Sequence, residues 1–289
     1  MSIYDKDLFG KSKHESALAR IRTFCAGKRV LVAFSGGKDS QCCYHLCEEA
    51  GIDFVAQYSV TRFEPPELLH FVRAKYPNVV WRKAFKQTLI DEIALRGLPS
   101  RWARWCCEAK HKATRGFDIA VIGVRGEESP RRAKEWRAFG YKQDHTAYTC
   151  PIIDWTISDV WEYLTSRNVP HCVLYDPPHN LNRIGCVCCP LAPYNMLKNA
   201  ETWPKTAAML KMGARKFVAR MQANGFVTAR GKKCADWCKA DDPAEEVWQR
   251  WIHTGQTTMP INAQIDDVEQ CLFAGTGFSE SDGIEGDDA

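Results

Sequence analysis

The sequence predicts an α/β protein in which a mostly parallel sheet is flanked by helices and followed by a helical C-terminal extension. Up to about Leu191, short apolar runs rich in β-branched residues alternate with segments of helical periodicity. Strands that alternate with helices are typical of parallel sheets. Beyond Leu191 only helical segments follow, and these predict the extension.

The individual elements follow in chain order. A helix at residues 14–27 ends at Gly27, which suits a C-cap, and the apolar run RVLVAF after it has the composition of a strand buried on both faces. The next elements are predicted as a helix at 38–51, a strand at 53–60, a helix at 65–76, a strand at 78–84, helices at 86–97 and 101–116, and strands at 117–124 and 146–153. Thr156 and Asp159 predict a capping box for the helix after them.

Length and composition narrow the class of protein. The length of 289 residues allows one large domain or two modest ones. The composition, with 45% hydrophobic and 26% charged residues, excludes a disordered, collagen-like or coiled-coil chain. No apolar run approaches the ~18 residues of a membrane span, and the polar N-terminal segment does not resemble a secretory signal. We therefore expect a cytoplasmic protein without a membrane partner. Cytoplasmic thiols stay reduced, so the 14 cysteines indicate metal binding or redox chemistry rather than disulfides.

A glycine-containing loop directly follows the first predicted strand and opens the next helix. At this position an open α/β sheet binds ligands, and a helix N-terminus offers free N–H groups to a phosphate or pyrophosphate. The spacing is neither that of Walker A nor the GxGxxG fingerprint. The alternative is an ordinary capped turn. The loop consists of Ser35, Gly36, Gly37, Lys38, Asp39 and Ser40.

These six residues match SGGKDS, the signature of the PP-loop ATP pyrophosphatases, and the chain further resembles the phosphoadenosine phosphosulfate reductase family within them. The resemblance covers about residues 28–195 and rests on LPSRWARWCC, IGVRGEESPRRA, CPIIDWTISDVWEYL, VPHCVLYD and RIGCVCCP. It implies a Rossmann-like fold of the adenine nucleotide α-hydrolase type, cleavage of ATP between its α and β phosphates, and sulfur chemistry.

The resemblance also implies roles for charged residues. Lys38 would neutralise developing charge, and Asp39 would help to hold Mg²⁺, which prefers oxygen ligands. Arg125 and Arg131 follow a strand and offer planar forks for phosphate or sulfate, and Glu128 would bind Mg²⁺ or orient Arg125. Lys38, Asp39 and Arg125 are thus the catalytic candidates. Surface ion pairs are the alternative for the arginines and Glu128.

Four cysteines come from two distant segments of the chain, Cys106-Cys107 and Cys186-x-x-Cys189. Four soft thiolates can hold a [4Fe-4S] cluster or a zinc ion, and spacing alone does not exclude simple buried thiols. Similarity to the cluster-bearing reductases of the family implies the iron–sulfur cluster, with zinc as the less favoured metal. Cys188 lies between two of these residues and leaves the register of ligation open.

Other cysteines and several aromatic residues allow only less specific predictions. Cys42, Cys43 and Cys47 have helical spacing and are expected in the core, whereas Cys234 and Cys238 form a Cx₃C that is either a persulfide carrier or structural. Two tryptophans alternate with two arginines, so they either stack bases or pack near the cysteines. These four residues are Arg101, Trp102, Arg104 and Trp105.

Charge and composition predict three regions. Residues 1–195 would form the PP-loop nucleotide-binding domain with the cysteine cluster, 196–274 a basic helical region, and 275–289 a disordered acidic tail. Between Thr202 and Ala235 there are eight basic residues and no acidic one, a stripe that either binds a polyanion or is a solvated helix face.

The complete SGGKDS loop favours an ATP-cleaving enzyme over a simple reductase, because the resemblance implies altered loops in the reductases. The sequence also lacks the Glu-Cys-Gly-Leu-His motif of those reductases. The expected activity is release of AMP and pyrophosphate from ATP to activate a nucleic acid, in DNA phosphorothioation or tRNA thiolation, with sulfur from a cysteine desulfurase. The alternatives are a sulfonucleotide reductase that binds an adenylyl-type nucleotide and uses a thioredoxin-like donor, and a non-catalytic nucleotide- or nucleic-acid-binding module.

Overall fold

A computed structural model gives the structure of the protein and describes residues 2–142, 145–225 and 240–257. The chain divides into two compact units. Unit 1 contains the described residues of Met1–Val60, Glu64–Ala84 and Ala109–Gly185. Unit 2 contains Thr61–Phe63, Phe85–Glu108 and the described residues from Cys186 onward. The predicted boundaries at 195 and 274 remain predictions, and the acidic tail lies outside the described residues.

Six strands form one sheet in the described part of unit 1. In space they run in the order β3-β2-β1-β4-β6-β5, and every neighbouring pair is parallel except β5 with β6. The central strand carries Val30, Leu31 and Val32, all fully buried, because helices cover both faces of such a sheet. The strands are β1 (Val30–Ala33), β2 (Phe54–Val60), β3 (Val80–Lys83), β4 (Ile119–Val121), β5 (Phe139–Tyr141) and β6 (Ala147–Thr149).

The described residues also form ten α-helices. Capping boxes begin α1, at Ser12, and α7, at Thr156, and the second confirms the predicted cap. In chain order the helices are α1 (Lys13–Cys25), α2 (Lys38–Ala50), α3 (Pro66–Lys75), α4 (Leu89–Arg96), α5 (Trp105–His111), α6 (Pro130–Glu135), α7 (Ile157–Ser166), α8 (Met196–Thr202), α9 (Pro204–Ala223) and α10 (Pro243–Thr254). The mostly parallel sheet and the helical C-terminal part confirm the predicted α/β class.

Unit 2 is a helical assembly in which α9 packs closely on α4. A Cβ atom at Gly213 of α9 would lie 2.7 Å from Cβ of Ile93, so only glycine allows this approach. Arg220 donates to the Leu95 carbonyl at 2.6 Å, and Trp251 of α10 donates its indole N–H to the Pro99 carbonyl at 2.6 Å. Among residues 2–142, 145–225 and 240–257, no helix has the length and apolar character that crossing a bilayer requires.

The basic stripe on α9 is partly neutralised within unit 2. Lys211 pairs with Glu245 at 2.8 Å, and Arg215 approaches the same carboxylate at 3.7 Å. Lys216 lies 3.5 Å from Asp91 of α4. Three further bases of the stripe, Arg230, Lys232 and Lys233, lie outside the described residues.

Candidate functional site

The loop between β1 and α2 has the strand-loop-helix geometry that the sequence predicts. Gly36 adopts φ +72°, a conformation that L side chains rarely adopt. A Cβ atom there would lie 2.5 Å from Cγ2 of Val72 and 2.9 Å from Cδ1 of Leu68, both on α3. Helix α3 therefore packs directly on the loop, and the loop requires glycine at this position for two separate reasons.

The N-cap residue of α2 is Gly37, which supplies no side-chain hydrogen bond to the first turn. The positive end of the helix dipole therefore has no side-chain cap from this residue. Ser40 stabilises the turn: its hydroxyl donates to the Gly37 carbonyl at 2.8 Å and accepts from the Ser35 amide at 3.1 Å. Ser35 itself is exposed.

Lys38 is a buried cation, with 2% of its surface exposed. Its ammonium Nζ lies 3.3 Å from Oδ2 of Asp39, donates to the Asn182 carbonyl at 3.0 Å and sits 5.7 Å from the centre of the Tyr175 ring. Its backbone N–H donates to the Tyr175 hydroxyl at 2.9 Å. The amide and the ammonium of Lys38 thus both donate to residues of one segment, Tyr175 and Asn182.

Arg125 connects the end of β4 to the loop. Its Nε lies 2.6 Å from Oδ1 of Asp39, and one guanidinium nitrogen lies 2.6 Å from Glu127. Burial alone would lower the pKa of Arg125, but the charge and hydrogen bond of Asp39 raise it. Gly123 makes this approach possible, because a Cβ there would lie 2.8 Å from the Asp39 carbonyl. Asp39 is therefore held between Lys38 and Arg125.

Glu128 and the helix after it complete the charged group. Glu128 accepts from the Arg125 amide at 3.3 Å and pairs with Arg132, and Arg183 lies 3.8 Å from it. Arg131 points elsewhere, to Glu135 at 2.8 Å, and its side chain is largely exposed. The structure thus brings Arg132 to the carboxylate of Glu128, four residues before it on the chain, and the role of Arg131 as a phosphate or sulfate ligand stays a prediction.

Sequence reasoning named none of four residues that touch this group: Tyr175, Asn182, Arg132 and Arg183. Tyr175 lies in VPHCVLYD, one of the segments that carry the family resemblance, and this was the available signal. The contact itself spans 137 residues of sequence, so no periodicity reveals it.

Unit 1 also contains a cavity of about 280 Å³. Its lining combines apolar side chains from β1 and the end of β4 with an indole and three cations. Such a lining suits a planar apolar group that carries an anion. The residues are Leu31, Ala33, Lys110, Thr114, Ile122, Val124, Arg132, Trp136 and Lys142.

The four proposed cysteine ligands belong to unit 2, and three of them influence the ionisation of the fourth, Cys106. A hydrogen bond with Cys107 and burial raise the pKa of Cys106, and the nearby thiols of Cys186 and Cys189 raise it further. Thiols are the donor type that an iron–sulfur cluster or zinc takes, and the charge of either would offset that of the thiolates. Within the described ranges, no three His, Cys, Asp or Glu side chains are arranged around one position as ligands of a single metal ion.

Cys188 is directed to a different partner. It is fully buried, adopts φ +52° and donates its S–H to the Met196 carbonyl at 3.5 Å, at the start of α8. Burial raises its pKa to about 12. This thiol anchors the loop of Cys186 and Cys189 to α8.

The remaining cysteines and the tryptophans divide between core and surface. Cys42, Cys43 and Cys47 are buried on α2, as expected, and burial raises the pKa of each well above 9. Trp105 packs against Phe63 and Phe85 in unit 2 and so belongs to its core, whereas Trp102 is half exposed. Cys234 and Cys238 lie outside the described residues.

Comparisons with known proteins agree on one family. Residues 29–192 match the family model described as the phosphoadenosine phosphosulfate reductase domain. An uncharacterised protein of Methanocaldococcus jannaschii is 29% identical over 210 residues, which make up 65% of this chain and 43% of that protein. An adenosine 5'-phosphosulfate reductase of Lysinibacillus sphaericus is 30% identical over 143 residues, or 46% of this chain and 60% of the reductase. The chain thus spans about half the length of the curated relatives it matches.

One solved structure is also similar. The phosphoadenylyl-sulfate reductase of Candida auris, in a phosphate complex, gives a TM-score of 0.47 at 16% identity and covers 59% of this chain and 88% of that one.

Proposed function

Because this chain belongs to the phosphoadenosine phosphosulfate reductase family, we propose that it is an enzyme that cleaves ATP to AMP and pyrophosphate and so activates a nucleic acid for sulfur transfer. The observation that carries the proposal is the complete loop at residues 35–40. There an uncapped helix N-terminus, two glycines and the buried cation of Lys38 meet at the end of β1. This combination supports a pyrophosphate-binding site.

The loop residues divide the work of the first step. An oxygen of the acceptor attacks the α phosphorus, the bond from that phosphorus to the bridging oxygen breaks, and its electron pair leaves with pyrophosphate. The first N–H groups of α2 and the ammonium of Lys38 bind the leaving group and stabilise its growing charge. Gly36 and Gly37 let the backbone approach the phosphates.

Asp39 and Arg125 act together in this scheme. Arg125 holds one carboxylate oxygen of Asp39, so the carboxylate has a fixed direction. With ATP present, Asp39 would be an oxygen ligand for Mg²⁺. Arg125 is then a positioning residue, and Glu128 and Arg132 extend the same group. The cavity that Arg132 lines offers apolar surface for the adenosine part of the nucleotide.

Cys106, Cys107, Cys186 and Cys189 would hold a [4Fe-4S] cluster, or less favourably zinc, and the bound cluster would supply a site at which sulfur is held for transfer. The four thiols must lose their protons when they bind metal. The effect of Cys107, Cys186 and Cys189 on Cys106, whose pKa all three raise, supports a shared role.

The terminal sulfur of a persulfide, for which a cysteine desulfurase is the proposed source, then bonds to the activated acceptor as the bond to AMP breaks. A pair of thiols reduces the remaining S–S bond and is oxidised to a disulfide, which frees the sulfur on the acceptor. Exposed Arg101, Trp102 and Arg104 support a nucleic acid acceptor, since basic and aromatic side chains together bind phosphates and stack bases.

A second candidate function is reduction of adenylyl sulfate or phosphoadenylyl sulfate to sulfite with a thioredoxin-like donor. The relatives named adenosine 5'-phosphosulfate reductase favour it. The same loop would then bind the phosphosulfate of an already activated nucleotide.

The experiment that separates the two functions offers both nucleotides to one anaerobic preparation whose iron and sulfide are measured. One arm contains ATP, Mg²⁺ and tRNA or DNA, and the other contains adenylyl sulfate and reduced thioredoxin. We expect AMP and pyrophosphate in the first arm, stimulated by the nucleic acid, and no sulfite in the second. Sulfite without ATP cleavage would establish the reductase, and ATP binding without turnover would indicate a nucleotide-binding module.

A further inference from the structure

Two donors of Lys38, its backbone N–H and its ammonium, have acceptors in one neighbouring segment of unit 1. This segment, residues 172–183, is called the strap here. It begins at the buried Cys172, forms a 3-10 turn at Val173–Tyr175 and runs past Asn182 to Arg183.

Tyr175 accepts a hydrogen bond that a bound anion would need. Its hydroxyl oxygen accepts the backbone N–H of Lys38 at 2.9 Å and lies 3.4 Å from where a Cβ atom of Gly37 would stand. A bound phosphate oxygen would take this same N–H at the start of α2. Burial raises the pKa of Tyr175, so the hydroxyl stays neutral and does not reproduce the charge of a phosphate.

Asn182 engages the second donor of the same lysine. Its backbone carbonyl accepts from Nζ of Lys38 at 3.0 Å. The two ends of the strap are tied to each other, because the Leu181 amide donates to the Leu174 carbonyl at 3.0 Å. Tyr175 and Asn182 therefore hold Lys38 as one unit.

The strap also contacts residues whose surroundings would change if the strap moved. Trp161 of α7 packs edge-on against the Tyr175 ring, with ring centres 5.1 Å apart. At the far end, Arg183 lies 3.8 Å from Glu128. A movement of Tyr175 would change the surroundings of the Trp161 indole.

We propose that the strap gates the loop: in the nucleotide-free protein the Tyr175 hydroxyl and the Asn182 carbonyl hold Lys38, and a bound pyrophosphate group displaces both. The inference rests on the proposed function, since it takes the loop to bind the pyrophosphate part of a nucleotide. The physical reason is competition for one amide N–H, in which a charged phosphate oxygen forms the stronger hydrogen bond. Displacement of the strap reduces the observed affinity, because part of the binding energy is used to open it.

The test is Tyr175→Phe, which removes the hydroxyl and keeps the ring. We expect the dissociation constant for inorganic pyrophosphate, measured by calorimetry on the full chain, to fall roughly 2- to 10-fold, because one internal hydrogen bond no longer competes. The matched control is Tyr163→Phe on α7, whose hydroxyl bonds to Glu49 at 3.3 Å. It should leave the constant unchanged.

A second measurement uses the wild-type chain and needs no variant at Tyr175. Pyrophosphate should change the tryptophan emission, and Trp161→Phe should remove that change. Weaker pyrophosphate binding by Tyr175→Phe would show that the hydroxyl contacts the ligand, which would overturn the proposal. Unchanged binding by that variant, or unchanged tryptophan emission of the wild-type chain, would also overturn it. A wild-type chain that binds neither pyrophosphate nor ATP is a different result, which removes the proposed function itself.

Discussion

At the scale of single residues, the candidate site depends on a few charged side chains that hold one another in place. Lys38 is buried, and Asp39 compensates its charge while Arg125 holds Asp39 from the other side. A buried cation without such partners would be costly. In the proposed function, this buried ammonium stabilises the negative leaving group away from bulk water.

Lys38→Met tests the role of this ammonium. We expect pyrophosphate release from ATP to fall by about 100-fold or more, the usual effect of removing one group that stabilises developing charge. Asp39 keeps Arg125 as a partner, so the fold should persist. Rates are measured by pyrophosphate release, with Lys75→Met, an exposed lysine at the end of α3, as the control. An undiminished rate would remove Lys38 from the mechanism.

Cys188→Ser tests which cysteines bind metal. Its thiol donates to the Met196 carbonyl, and a serine hydroxyl can make the same bond, so we expect the iron and sulfide content per chain to be retained. Cys186→Ser and Cys189→Ser should lose both. If Cys188→Ser lost iron while Cys186→Ser kept it, the register of ligation would shift to Cys188.

At the scale of elements, the site depends on the packing of α3 against the loop between β1 and α2. This contact fixes the direction of the N-terminus of α2, and the positive φ of Gly36 lets the loop turn beneath α3. Strand β4 contributes through Gly123, which brings Arg125 to Asp39.

Gly36→Ala tests this packing, and Gly51→Ala at the end of α2 is a matched control. Both glycines have φ near +70°, but no atom lies within 4 Å of a Cβ at Gly51. Backbone strain costs about 1–3 kcal/mol in each variant. We expect Gly36→Ala to lose more stability in urea unfolding because of the clash with Val72, and to lose pyrophosphate binding as well. Equal losses of stability in the two variants would show that α3 can move away from the added methyl group without a loss of free energy of unfolding.

The sequence indicated most of the elements but not all of the contacts. The strand-loop-helix unit at Ser35 to Ser40 was predictable, because a buried apolar strand, two glycines and a helical period follow one another. Strand β5 was missed, since three residues with Gly140 at the centre give no alternation. The contact of Arg132 with Glu128 was not predicted, because the phase of α6 relative to Glu128 follows from the fold alone.

At the scale of the whole molecule, the residues of the proposed chemistry belong to two units. The loop, Arg125 and the strap belong to unit 1, and the four clustered cysteines belong to unit 2. The N-terminal half of unit 1 also carries buried thiols on α2, whose protonation links the stability of the fold to pH. Burial raises the pKa of Cys42 and Cys43 well above 9.

This linkage predicts lower stability at alkaline pH. In the unfolded chain these thiols ionise near their ordinary pKa of about 9, whereas in the folded chain they keep their protons. Their contribution is therefore complete below pH 9 and decreases as pH rises above it, by about 1.4 kcal/mol per pH unit for each thiol. Urea unfolding under reducing conditions from pH 8 to 10 measures the slope, and Cys43→Ala should reduce it. An unchanged slope in that variant would contradict the assignment.

The proposed function depends on cleavage of ATP between its α and β phosphates at the loop. Phosphorus NMR of ATP and Mg²⁺ with the anaerobic protein and nucleic acid tests this cleavage, because it identifies each product. We expect AMP and pyrophosphate with the wild-type chain and intact ATP with Lys38→Met. ADP and inorganic phosphate, or ATP that stays intact while adenylyl sulfate yields sulfite, would contradict it.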